Sequence, residues 1–166
     1  MKIRRESSED VRAVQRVNLA AFGRADEANL VDALRERGAV IASLVAVESD
    51  QVVGHILFSP ASVANSSLRI AGLGPMSVLP ERQRAGVGSS LVRTGLEVCR
   101  REGLEALVVV GHPNYYPRFG FAPASRFGLT CEYDVPDEFF MAMELKQSAL
   151  QDVGGLVRYQ PEFSEV

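Results

Sequence analysis

The chain of 166 residues has two cysteines, two histidines and no tryptophan. Two thiols, Cys99 and Cys131, cannot build the disulfide framework of a small secreted scaffold, and they do not make a zinc site. No metal site is expected. Nor is there an excess of base. Eighteen Lys and Arg face 21 Asp and Glu, for a net charge of -3 and a pI near 5.5. That excludes the basic footprint of a nucleic-acid binder. A mildly acidic surface suits a cationic amine, though it equally suits plain solubility. Behind the opening residues Met1 to Glu6 there is no apolar stretch, so no signal peptide is expected. No apolar run approaches membrane length. The expectation is a cytoplasmic protein with reduced thiols and no membrane partner. Internal repeats, linkers and low-complexity tracts are missing as well. The length fits one domain over residues 1–166, with a core at 2–146 and a C-terminal extension at 147–166.

What is present reads as a mixed α/β domain. Lys2 to Glu6 can open as a short strand. Ser7-Ser8-Glu9-Asp10 then has the polar cap and first-turn acids of a helix start. Val14, Val17 and Ala21 fall on one helical face, and Gly23 ends that run. Asp26 is expected to cap a second helix, with Leu30, Val31 and Leu34 inward and Gly38 as its stop. The pattern then turns to β: Ser43 to Glu48, Gln51 to Ala64 and Leu68 to Leu79, joined by short turns, predict an antiparallel meander. A helix is expected from Val87 to Glu102, and Ala106 to Val110 has the unbroken apolar character of a strand covered on both faces. A compact turn region follows at Pro113 to Gly120. Strands are expected at Phe139 to Leu145 and Leu156 to Tyr159. That last segment is open between two roles, an outer edge that supports a homodimer or the closure of its own sheet.

One segment has the means to hold a phosphate. Gln83-Arg84-Ala85-Gly86-Val87-Gly88-Ser89-Ser90 lies between a strand and a helix. Glycine lets a backbone approach a ligand closely. Free amides at a helix start attract phosphate oxygens, aided by the helix dipole. Arg82 and Arg84 add positive charge. The nucleotide-triphosphate loop requires a lysine after its last glycine, and Ser89 stands there instead. The dinucleotide fingerprint requires a small residue where this chain has Leu91. Two glycines at a helix start, taken alone, favour a loop that only turns the chain.

The wider context gives that loop an identity. Met76-Ser77-Val78-Leu79-Pro80, followed by Gln83-Arg84-Ala85-Gly86-Val87-Gly88, resembles the coenzyme A signature of the GNAT superfamily of N-acetyltransferases. Tyr116-Pro117-Arg118-Phe119-Gly120-Phe121 resembles the family's Tyr-x-x-x-Gly-Phe. The resemblance covers Lys2 to Lys146. Gly54-His55-Ile56, Leu73-Gly74-Pro75 and Tyr115-Tyr116 look like the YhbS-like acetyltransferases within it. Many relatives open a longer helix with an asparagine about seven residues before the tyrosine. Here that position is Val109, inside the strand, so the helix near Tyr115 should be short.

The resemblance implies an acyl-CoA N-acyltransferase fold, a central mixed twisted sheet flanked by helices and splayed at the cofactor cleft. It implies acetyl-CoA (coenzyme A) held by the backbone of Arg84, Ala85, Gly86, Val87, Gly88 and Ser89, with Gln83 beside them. The pantetheine arm would pair with Met76, Ser77 and Val78 like an added strand. Gly74-Pro75 within that strand marks a bulge or an unpaired edge. Tyr116 matches the family's proton donor to the leaving thiolate. For the base that receives the amine proton, Glu27 is the first candidate, then His55, His112 or water. The acceptor would be an amine, on a small molecule or a protein, in a pocket lined by the first two helices, the loop near Asn114 and the C-terminal strands. Transfer of a longer acyl chain and an acyl-CoA-binding module without catalysis stand as alternatives.

Overall fold

A computed structural model describes residues 1–166. In chain order the elements are β1 (Lys2–Arg5), α1 (Val11–Phe22), α2 (Asp26–Glu36), β2 (Ala42–Glu48), β3 (Gln51–Val63), β4 (Ile70–Val78), α3 (Val87–Arg101), β5 (Ala106–Val110), β6 (Ala122–Pro123), β7 (Leu129–Cys131), β8 (Phe140–Glu144) and β9 (Gly155–Arg158). The main sheet runs β1-β2-β3-β4-β5-β8-β6, and β9 joins β3 to β7. The expected meander is present: β2, β3 and β4 are consecutive antiparallel neighbours, β1 flanks β2, also antiparallel, and β4 and β5 are parallel with α3 as the crossover. No helix is long and apolar enough to cross a membrane.

Burial on both faces explains the dense apolar strands. In β2 and β3, Leu44, Ala46, Ile56 and Phe58 face α3. Val45 and Leu57 point the other way, toward Val14, Val17, Leu30, Val31 and Leu34 of α1 and α2. That is the period of two expected of a strand between two layers. α3 fits closely. An ideal Cβ on Gly95 would lie 2.5 Å from the Phe58 ring, so a glycine is needed where the ring crosses the helix.

Some local readings are corrected. Asp26 is the first helical residue and Ala25 takes the cap position. The short strands β6 and β7 were not expected, since two or three residues carry no readable period. The tail closes its own sheet: β9 pairs with β3 and with β7 of the same chain.

The sheet opens between β4 and β5. The two pair only from Ile70 to Leu73 opposite Ala106 to Val109. Just beyond, Ile56 faces Met76 while Phe58 faces Leu73, so Gly74 and Pro75 are extra residues opposite Leu57. This is the bulge expected at Gly74-Pro75, because proline has no N–H to carry the ladder on. After it, β4 continues along β3 and leaves β5, producing a cleft.

A buried polar chain runs under α1. His55 is fully buried. Its Nε2 lies 2.8 Å from Ser43 Oγ, and its Nδ1 lies 3.4 Å from Asn18 Nδ2. Ser43 donates to Glu6 at 2.6 Å, and Glu6 in turn pairs with Arg35. Burial, with Arg35 nearby, pushes the His55 pKa down from 6.5 to about 3. The unfolded chain therefore takes up a proton that the folded chain refuses. Stability is full above pH 6.5 and falls as pH drops from 6.5 toward 3, by up to ~1.4 kcal/mol per pH unit. Urea unfolding between pH 7.5 and 5 should display this slope, and His55→Gln, although less stable at pH 7.5, should lack it. Parallel pH profiles for the two proteins would refute the assignment.

Candidate active site

The cleft between β4 and β5 is floored by the start of α3. Gly86, at φ 89°, turns the chain into that helix. The amides of residues 84–89 donate to no acceptor in the protein. They form a cluster of free donors at the positive end of a helix of 15 residues. Gln83 acts structurally, since its Nε2 donates to the Val78 carbonyl at 3.0 Å and ties the loop to the strand end. Arg82 and Arg84 both border the cleft, and Arg82 also pairs with Glu48 at 2.9 Å.

The open edge of β4 follows from strand alternation. Leu79 N–H donates to Val53 O at 2.9 Å, and Val78 stands opposite Gly54. In an antiparallel ladder this turns the polar groups of Met76 and Val78 away from β3 and toward the cleft. Ser77 lies between them with its backbone turned to β3. Together the strand edge and the helix start border a cavity of about 670 Å³, also lined by Tyr115, Tyr116 and Arg118.

The two tyrosines sit differently. Tyr116 opens a short 3₁₀ turn ending at Phe119, as expected from the absence of a longer helix. Its ring lies against Gly111, where an ideal Cβ would come within 2.3 Å of a ring carbon. Phe121 packs edge-on at 5.7 Å between ring centroids. The Tyr116 hydroxyl makes no hydrogen bond to the protein, and the residue lines two cavities at once. Burial raises the Tyr116 pKa above its ordinary 10, so the phenol keeps its proton at neutral pH. The Tyr115 hydroxyl instead stands 3.2 Å from Ser89 Oγ at the start of α3. Its ring lies under the Arg118 guanidinium, 4.6 Å from its centroid. Sequence reasoning did not assign Tyr115 or Arg118. The adjacent pair Tyr115-Tyr116 was the available signal, but adjacency does not say which ring faces which wall.

The second cavity, about 440 Å³, adjoins the first and shares Phe22, Met76 and Tyr116 with it. It lies among the ends of α1 and α2, the bulge of β4 and the C-terminal segment. Glu27 is there, buried at 6% exposure. Both its oxygens meet Arg24, at 3.0 and 2.5 Å. Of the other base candidates, His55 is sealed beneath α1 and lines neither cavity, so it is a structural residue. His112 borders the first cavity rather than the second. Asn114 lines neither, and the C-terminal residues Tyr159 and Phe163 take the place expected of its loop.

Comparisons with known proteins bear on the family and the fold. The profile of the acetyltransferase (GNAT) domain matches residues 2–124. The uncharacterized N-acetyltransferase YhbS of Escherichia coli K12 is 34% identical over 165 residues, 99% of each chain. A second uncharacterized N-acetyltransferase of that strain, YjhQ, is 40% identical over 134 residues, 78% of this chain and 74% of its own. The crystal structure of Escherichia coli YhbS in complex with CoA superposes with a TM-score of 0.95, over 98% of this chain and 91% of that one. A GNAT acetyltransferase of Brucella melitensis in complex with acetyl-CoA gives 0.83 at 35% identity, over 98% and 97%.

Proposed function

The chain belongs to the GNAT family of N-acetyltransferases and is an acyltransferase, and we accordingly propose that it transfers the acetyl group of acetyl-CoA to a primary amine by direct attack on the thioester. The single observation that carries this reading is the cluster of unshared amides at residues 84–89, facing a cleft that meets a second cavity at Tyr116. Acetyl-CoA, when bound, supplies an activated acyl carbon and a thiolate leaving group.

The residues present fit that group. The amides of Arg84 to Ser89 would hold its diphosphate by direct N–H donation. The outward-facing groups of Met76 and the Val78 N–H would pair with its amide-bearing arm as a sheet edge does, the Val78 carbonyl being held by Gln83. Ser77 keeps this edge in register through β3, and Gln83 pins the strand to the loop. Tyr115, with Ser89, adds hydroxyls at the same helix start.

At the junction of the cavities, Tyr116 donates its proton to the departing sulfur. The amine nitrogen bonds to the acyl carbon, the carbon–sulfur bond breaks, and the nitrogen loses a proton. Glu27 borders the acceptor cavity and is the group we assign to receive it. The apolar lining helps, because a desolvated ammonium releases its proton more readily than one in water.

Ligand-induced stabilisation tests the reading. Acetyl-CoA at about 100 times its Kd should raise unfolding free energy by ~2.7 kcal/mol. Thiol release from it should then depend on an added amine. Longer acyl-CoAs in the same assay separate acetyl transfer from transfer of larger groups. Absence of stabilisation by any acyl-CoA would refute the reading.

A further inference from the structure

The second cavity has a definite chemical character, and its character comes from a part of the chain outside the family motifs. Its walls are mainly apolar, and five of the 15 lining residues are aromatic: Phe22 from the end of α1, Tyr116, Tyr133, and Tyr159 and Phe163 from the C-terminal segment. Tyr133, Tyr159 and Phe163 form a continuous set, with centroid separations of 6.3 and 5.2 Å. Tyr159 is held tightly, since its ring fills the space over Gly72, where an ideal Cβ would approach to 2.5 Å. Glu27 provides the one charged side chain in the lining.

This wall is strapped to the body of the protein. Arg37, at the end of α2, pairs with both oxygens of Glu162 at 2.5 and 2.8 Å and also meets Gln160. Gln160 donates to the Pro60 carbonyl at 2.8 Å. The segment thereby forms a fixed wall on one side of the cavity.

We infer that the acceptor is a compact primary monoamine carried on an apolar, preferably aromatic, body, and that residues 159–163 set this preference. The inference rests on the acetyltransferase reading given above and narrows its substrate class. Three physical points carry it. The volume of about 440 Å³ falls within the ~300–1,000 Å³ of small-molecule sites. Aromatic faces stabilise both a ring and an ammonium beside it. A second positive charge, as in a polyamine, would enter a lining whose one side-chain carboxylate already meets Arg24, and burying it without a counter-charge is costly.

The test uses the full chain with acetyl-CoA and three acceptors: 2-phenylethylamine, spermidine and a lysine-containing peptide. The aromatic monoamine should lead in kcat/KM by roughly 10²-fold, in the range that pocket complementarity supplies. Calorimetry should show it binding without acetyl-CoA, with spermidine binding more weakly. Phe163→Trp fills the cavity and should raise the KM for the monoamine roughly 10-fold, with the KM for acetyl-CoA unchanged. Arg37→Ala loosens the strap from outside the cavity and should also raise the amine KM with little change in kcat. This second variant decides the matter if Phe163→Trp folds poorly. Preference for spermidine or the peptide, an amine KM indifferent to both substitutions, or no amine turnover despite stabilisation by acetyl-CoA would each overturn the inference and leave cofactor binding standing. Failure of acetyl-CoA to stabilise the protein would instead remove the reading beneath it.

Discussion

Replacing Tyr116 with Phe is expected to lower kcat by roughly 10- to 10⁴-fold, the range of general acid catalysis, with acetyl-CoA affinity little changed. The substitution removes one oxygen and leaves the ring on Gly111 and against Phe121, so the core keeps its shape. The hydroxyl has no protein partner to lose, and its removal orphans nothing. What disappears is the hydroxyl at the junction of the two cavities, to which the proposed function gives the role of proton donor. The pKa raised by burial adds a second signature. The alkaline fall in kcat due to Tyr116 should lie above pH 10, so rates should stay level through the ordinary tyrosine range. Steady-state kinetics for the wild type and Tyr116→Phe, with calorimetry for acetyl-CoA, check both points. An unchanged kcat would take Tyr116 out of the mechanism.

Gly88→Val is expected to weaken acetyl-CoA binding by about 10²-fold, ~2.7 kcal/mol, while the protein unfolds near its usual temperature. Gly86 would be a poor test, because its φ of 89° would strain any side chain whatever the ligand did. Gly88 lies within α3 and has no positive φ. A Cβ there would stand 3.1 Å from the Tyr115 hydroxyl and 3.4 Å from the Met76 sulfur, at the floor of the cleft. The branches of valine extend into the space that a diphosphate needs to reach the amides. Wild-type affinity in Gly88→Val would mean that the diphosphate is held elsewhere. The two variants also separate two steps: Tyr116→Phe should affect turnover with binding intact, and Gly88→Val should affect binding first.

Much of the fold could be read from the sequence because its signals are local. The apolar run Ala106 to Val110 demanded cover on both faces and lies inside the sheet between β4 and β8, buried as far as Val109. Gly74-Pro75 had to interrupt a ladder, since one residue lacks an N–H and the other lacks a side chain to pack. Short links between β2, β3 and β4 left little choice but antiparallel neighbours. Errors arose where local signals were weak or ambiguous. An acid near a helix start reads equally as cap or first turn, and Asp26 is the latter. His55 looked like a candidate base because a strand histidine carries no mark of its depth.

By itself, the sequence determined the chain's family, the meander and crossover, the break in β4 and the run of glycine-spaced amides at the start of α3. Each of these depends on which backbone groups the nearby residues leave free or forbid. Tertiary structure alone decided that Tyr115 turns to Ser89, that His55 is sealed, and that Tyr159 and Phe163 wall the second cavity beside Glu27. Those outcomes depend on contacts between segments far apart in the chain, such as Arg37 with Glu162 and Gly72 with Tyr159. No local pattern encodes them, because each partner's surroundings form only when the other arrives.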